Sequence, residues 1–242
     1  MNNLDIIKDN IIKNNPDYIF IAGDLIDSLK VLSHKKLMSV FYEWLDNLGN
    51  NRIPVIVILG NHDSYNNTDF RYNIYIENLK KLNISLLDNS IYEDNYIKVS
   101  GFTLPKDTYH SSNSLSNTRK YYNKLNKRLF RKSNKINIAL IHNPMYIINT
   151  IDILSNFDII MAGHMHNGLM LPFMEKVFKS NSGIISPDKK FFPKVSRNQV
   201  IINNNKFLLI SGGITKLSKS AGLLNKFSIL YPMEITNINI NN

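Results

Sequence analysis

The chain has 242 residues, 43% of them hydrophobic, no cysteine, and 29 Lys and Arg against 19 Asp and Glu, a formal charge of +10. That size and apolar content support a sizeable core in a single domain spanning 1–242, and the lack of cysteine excludes disulfides and thiolate ligands. No stretch approaches the roughly 20 apolar residues of a membrane helix and no signal peptide precedes the first motif, so a soluble, cytoplasmic product is expected, with a membrane-anchored or exported parent open if the start is misplaced.

Asn3 to Asn14 carries Leu4, Ile7, Ile11 and Ile12 at helical spacing and stops at Pro16; Asp5 and Asp9 read as solvated positions of that helix. Tyr18 to Ala22 reads as a buried strand and runs into Gly23-Asp24-Leu25-Ile26-Asp27. A second helix is predicted from Ser33 to Leu48, with Ser33 as N-cap and Phe41, Trp44, Leu45 and Leu48 facing inward. The next strand, Pro54 to Leu59, runs into Gly60-Asn61-His62-Asp63. Phe70 to Leu82 reads as a helix, and Ile91 to Thr103 as a hairpin turning at Glu93-Asp94-Asn95.

Lys106 to Asn117 is a polar loop before a basic segment, Arg119 to Lys135. There Lys120, Lys124, Lys127, Arg128, Arg131 and Lys132 interleave with Tyr122, Leu125 and Leu129 at helical spacing. One reading is an amphipathic helix with a solvated charged face; the other is attraction to an anionic membrane, a cell-envelope polymer or nucleic acid, and no nucleic-acid motif supports the last. Ile136 to Ile141 leads to His142-Asn143-Pro144, and Asp158 to Ala162 leads to Gly163-His164-Met165-His166. Beyond that the helical pattern ends. A loop through Pro172 and Pro187 precedes strands at Val200 to Asn203 and Lys206 to Ser211, joined across Asn204-Asn205, and a last strand near Met233 to Ile240. Strands alternating with helices early and pairing as hairpins late predict an α/β fold of two stacked sheets flanked by helices.

The four motifs that follow strands share one chemistry. Their side chains are oxygen and imidazole donors, the set that suits borderline and hard divalent cations. An H-x-H after a buried strand and a glycine is an odd place for mere packing. Two other histidines, His34 and His110, lack such a context and read as surface residues.

The order GD-x-x-D, GNHD, H-x-P, GH-x-H resembles the calcineurin-like metallophosphoesterases, in their small single-domain bacterial branch. The resemblance runs from the helix before Asp24 to Tyr231-Pro232-Met233-Glu234-Ile235. It implies an αββα sandwich of two mixed sheets flanked by helices. It also implies a metal-dependent hydrolase acting on a phosphodiester, pyrophosphate or phosphomonoester through a metal-activated water, with two divalent ions drawn from Mn, Fe or Zn. By the same resemblance Asp24 bridges the two ions, Asn61, His142 and His164 complete the second, and His166 belongs to the first. His62 then protonates the leaving oxygen or stabilises it as an imidazolium, and Asp63 and Asp27 either orient His62 and the ligand loops or are ordinary loop or capping carboxylates.

Two departures qualify these expectations. The Asp-x-His with which the family begins has no counterpart before Asn3, so the first strand is expected to be missing, and the first ion would keep only Asp24 and His166. One ion would then bind well and the other weakly or not at all, with activity reduced by orders of magnitude; a catalytically impaired remnant or binding protein of the same fold is the alternative. After GH-x-H the branch has two glycines and a glutamine where this chain has Asn167, Gly168 and Leu169, which leaves the substrate open. Met170 to Phe173 reads either as plain loop packing or as an apolar wall for a lipid-bearing substrate.

Overall fold

The computed structural model describes residues 3–64, 68–109, 113–145, 147–169, 182–184, 187, 191–193, 195–202, 206–214 and 234–240. In chain order the elements are α1 (Asn3–Lys13), β1 (Ile19–Ala22), α2 (Lys35–Gly49), β2 (Val55–Ile58), α3 (Asn61–Ser64), α4 (Phe70–Leu79), β3 (Ser85–Leu86), β4 (Ile91–Glu93), β5 (Ile97–Phe102), α5 (Ser114–Lys124), β6 (Ile136–Ile141), β7 (Ile159–Ala162), β8 (Asn198–Ile202) and β9 (Lys206–Ile210). The first sheet has the order β1-β2-β3 and is parallel throughout. The second has the order β4-β5-β6-β7-β9-β8, parallel in its middle with β4 and β8 antiparallel at its edges.

β2, β5, β6 and β7 are short apolar-rich runs buried on both faces, and their period of two sorts side chains into layers. Ile56 and Ile58 of β2 meet Val99, Ile138, Leu140 and Met161 between the sheets. Their neighbours Val55, Val57 and Leu59 turn the other way, against Ile7, Trp44, Leu45, Leu48, Tyr75 and Leu79 of the helices. On the far side, Ala139, Ile141 and Ile160 pack under Tyr122, Leu129 and Phe157. These three apolar layers make the αββα sandwich. Leu45 and Leu48 have no exposed surface, and burying each contributes about 1.5–3 kcal/mol.

Several boundaries differ from expectation. Ser33 is not the N-cap of α2: its hydroxyl donates back to the Lys30 carbonyl at 2.8 Å, closing a 3-10 turn over Leu29–Ser33, and α2 starts after His34. The basic segment is not one helix. α5 begins earlier, at Ser114, and ends where Leu125 turns extended and the Asn126 side chain accepts from the Arg128 amide, opening a separate turn over Lys127–Phe130. Three of its cations are paired, Arg119 with Asp152 at 2.9 Å, Lys132 with Asp158 at 3.6 Å and Lys135 with Glu93 at 2.8 Å. Residues 234–240 form no strand; the segment is tied down instead by the Glu234 amide, which donates to the Gly213 carbonyl at 2.9 Å. The two-residue β3 was too short to leave a pattern. The expectations on His110, Met170 to Phe173, Asn204-Asn205 and Tyr231 to Met233 lie outside the described residues. Among the described residues, no helix is long and apolar enough to cross a membrane.

The topology determines where the motifs go. β1 and β2 run parallel in one sheet, and β6 and β7 run parallel in the other. The loops at their carboxyl ends therefore emerge on one edge of the sandwich, the usual place for ligands in open α/β sheets.

Candidate metal centre

Two glycines let the loops of the first sheet close on each other. Gly23 has a φ of +85°, and a Cβ there would sit 2.5 Å from the Gly60 amide nitrogen and 2.8 Å from His142 Nδ1. A Cβ on Gly60 would sit 2.2 Å from Asp24 Oδ1. Only hydrogen fits at either place. The next residue, Asp24, has a left-handed φ of 55°, a conformation that costs a non-glycine residue on the order of 1 kcal/mol and here aims the carboxylate across the sheet interface.

Four donor atoms converge here, one of them from that carboxylate. His142 Nε2 lies 3.1 Å from Asp24 Oδ2, 3.0 Å from Asn61 Oδ1 and 3.2 Å from His164 Nδ1. Asn61, His142 and His164 are buried and Asp24 is partly so. The other nitrogen of His142, Nδ1, faces the Ala22 carbonyl at 2.5 Å. A carbonyl only accepts, so Nδ1 carries the hydrogen and Nε2 presents its lone pair to the cluster. Lone pairs on two imidazoles, a carboxylate and an amide oxygen then point at one another, an arrangement that a cation satisfies. A single proton is a poorer fit, because one N–H reaches one acceptor at a time. Asp24, His142 and His164 form the one group of three or more such side chains among the described residues with ligand atoms mutually within 4.8 Å.

The local electrostatics suit a cation. Burial pushes the Asp24 carboxyl up, but the adjacent His142 and His62 outweigh it and hold it well below the usual range. Burial pulls His142 down, but the Asp24 charge overrides it and raises the imidazole, so a proton on Nε2 competes with a metal ion for this place. His166 goes the other way: burial first and the neighbouring His164 second lower it from 6.5 to about 4, so it is neutral at neutral pH and offers a lone pair, not a charge. It stands beside the cluster, not in it.

His62 occupies a different place. Its backbone amide donates to Asp24 Oδ1 at 2.9 Å, and its ring Nδ1 meets the Asp27 carbonyl oxygen at 2.5 Å. The ring is 44% exposed, in contrast to the buried histidines behind it. Asp27 therefore contributes its main chain; its carboxylate is 65% exposed and 3.9 Å from His62 Nδ1. Asp63 bonds the ligand loops. Its carboxylate accepts from the amides of Gly60 at 2.8 Å, Leu25 at 3.2 Å and Ile26 at 3.3 Å and from the Tyr75 hydroxyl at 3.0 Å, stapling the loops after β1 and β2 together.

Two contributors were invisible in the sequence. Tyr75 reads there as one more apolar helix position. Tyr109 is buried and stands edge-on to His164, ring centroids 5.5 Å apart. Neither carries a motif, since each acts through a distant loop.

Comparison with known proteins bears on the same residues. A family model described as calcineurin-like phosphoesterase matches residues 2–168, a stretch that includes all four motifs. A search of curated proteins found no match to the chain.

Proposed function

Because the chain belongs to the calcineurin-like phosphoesterase family, we propose that it is a metal-dependent phosphoesterase hydrolysing a phosphodiester, pyrophosphate or phosphomonoester, with Asp24, Asn61, His142 and His164 holding a divalent ion of the Mn, Fe or Zn kind. The observation that carries this reading is the convergence of three donor atoms within 3.0 to 3.2 Å of His142 Nε2. Such an ion supplies Lewis acidity toward phosphoryl oxygen and water. The four proposed ligands carry one negative charge between them, so a divalent ion leaves the site net positive and attractive to a phosphate anion. His142 is held ready by the Ala22 carbonyl, which fixes its tautomer and ring plane. His62, exposed at the mouth with Nδ1–H donating to the Asp27 carbonyl, carries a second proton at Nε2 only as the imidazolium, and in that form it gives the proton to the leaving oxygen. Asp63 keeps the loops bearing Asp24 and His62 in register. His166 is a neutral donor beside the cluster, suited to a second, weaker ion shared with Asp24.

A second reading rests on one observation. Among the described residues a single three-residue group is brought together, with His166 outside it. A one-ion site lacks the clamp on attacking and leaving oxygens, which favours a catalytically impaired or binding protein of the same fold. The basic 119–135 segment adds a possible contact with an anionic membrane or cell envelope to either reading.

The test is Mn²⁺-dependent hydrolysis of a chromogenic phosphodiester by the purified chain, alongside a chelator and His142→Ala. Turnover lost with both supports the phosphoesterase; metal binding without turnover supports the impaired protein; no metal uptake overturns both.

A further inference from the structure

The backbone that carries His166 is unusual. His164, His166, Asn167 and Gly168 all have positive φ, of 66°, 43°, 55° and 65°. Three of those four residues are not glycine, so the turn needs something outside itself to hold it. Its internal bonds are few: the Met165 amide to the Gly163 carbonyl and the Gly168 amide to the Met165 carbonyl, each at 2.7 Å.

Outside support comes from two places: the Ile184 amide donates to the Gly168 carbonyl at 2.9 Å, and the far end of the chain holds Asn167. Asn167 Nδ2 donates to Glu234 Oε2 at 2.9 Å, and because a carboxylate only accepts, this contact also settles which way the Asn167 amide faces. The other oxygen, Glu234 Oε1, accepts from the Thr236 hydroxyl at 2.9 Å, and the Glu234 backbone amide donates to Gly213 at 2.9 Å. On its other side the Asn167 amide lies against Gly212, where a Cβ would come within 2.2 Å of Nδ2. Asn167 is thus gripped between the loop after β9 and a carboxylate that is itself oriented at three points. Glu234 lies beyond residues 2–168 of the family match.

We infer that Glu234 is a positioning residue of the metal centre: through Asn167 it clasps the left-handed turn after β7 and so holds His166 toward the cluster. The inference rests on the proposed function, since it concerns metal affinity at that site. Glu234 acts through Asn167, the residue next to His166, and its effect must therefore vanish when His166 is gone.

The test is a double-mutant cycle read by Mn²⁺ titration calorimetry on wild type, Glu234→Ala, His166→Ala and the pair. Loss of a residue that orients a metal ligand typically weakens binding about 10- to 100-fold, and roughly tenfold is expected for Glu234→Ala at the weaker of two Mn²⁺ binding events, the one that His166 would share with Asp24, with the tighter event unchanged. The double variant should match His166→Ala alone, and Glu234→Gln, which keeps an acceptor oxygen, should stay within about threefold of wild type. Thr236→Val, a change at an exposed position, should move affinity the same way by less, and it covers the case in which Glu234→Ala does not fold. Additive effects, or a His166→Ala that binds Mn²⁺ like wild type, overturn the inference while leaving the proposed function intact. A Glu234→Gln as weak as Glu234→Ala overturns it too, because charge and not the clasp would then be responsible. A wild-type chain that takes up no Mn²⁺ overturns the proposed function and this inference together.

Discussion

Tyr75 donates its phenolic hydroxyl to Asp63 at 3.0 Å, and neither residue has exposed surface. Burial, and then the charge of Asp24, raises the Asp63 carboxyl from 3.8 to about 6, against the opposing pull of the Gly60 and Leu25 amides and of Tyr75 itself. A carboxyl whose folded pKa lies above its unfolded value contributes stability that is complete below the unfolded value and lost as pH rises through the folded one. In chelator, the urea midpoint of the wild type should carry a falling component between pH 3.8 and about 6 that Asp63→Asn lacks. Equal slopes for the two proteins would show that Asp63 does not titrate in this window. Tyr75→Phe should cost about 1–3 kcal/mol by leaving a buried acceptor short of a donor.

His62 and Asp27 separate chemistry from scaffolding. With the ring exposed and only its backbone amide on Asp24, His62→Ala should lower kcat by about 10²- to 10⁴-fold while Mn²⁺ affinity, read by calorimetry, stays near wild type. Asp27→Ala should change kcat little, because the carbonyl and not the carboxylate meets His62. A large kcat loss in Asp27→Ala would move the role to its carboxylate.

Gly60→Ala probes the closest backbone approach in the site. Its methyl would need the space 2.2 Å from Asp24 Oδ1, and overpacking of this kind costs about 1–3 kcal/mol. The same methyl would sit 2.4 Å from the Asp24 amide nitrogen, so the two loops must part and carry the Asp24 carboxylate away from His142. Mn²⁺ affinity should therefore fall further than stability does, measured by calorimetry beside a thermal melt; unchanged affinity would show that the loops yield without disturbing Asp24.

The motifs were legible because each sits where an apolar strand run stops, three of the four at a glycine, and both signals are local. Val55 to Ile58 and Ile136 to Ile141 could only be buried strands, and the donors that follow them are chemically alike. Periodicity also found α2 and the hairpin at Asp94, whose carboxylate accepts from the Tyr96 and Ile97 amides. It failed on Ser33 and on the break at Leu125-Asn126, where a side chain chose between two backbone partners of nearly equal worth.

What the linear order of residues could not carry is which of these donors meet. Asp24, Asn61, His142 and His164 converge because two parallel pairs of strands in separate sheets stack face to face through Ile56, Ile138 and Leu140. That stacking also brings the Ala22 carbonyl to His142, and packing on each sheet's own side brings Tyr75 to Asp63 and Glu234 to Asn167. Donor types and strand ends are properties of neighbouring residues and were written in the chain; ligand identity, tautomer and support depend on contacts between residues far apart in sequence, which exist only once the layers have packed.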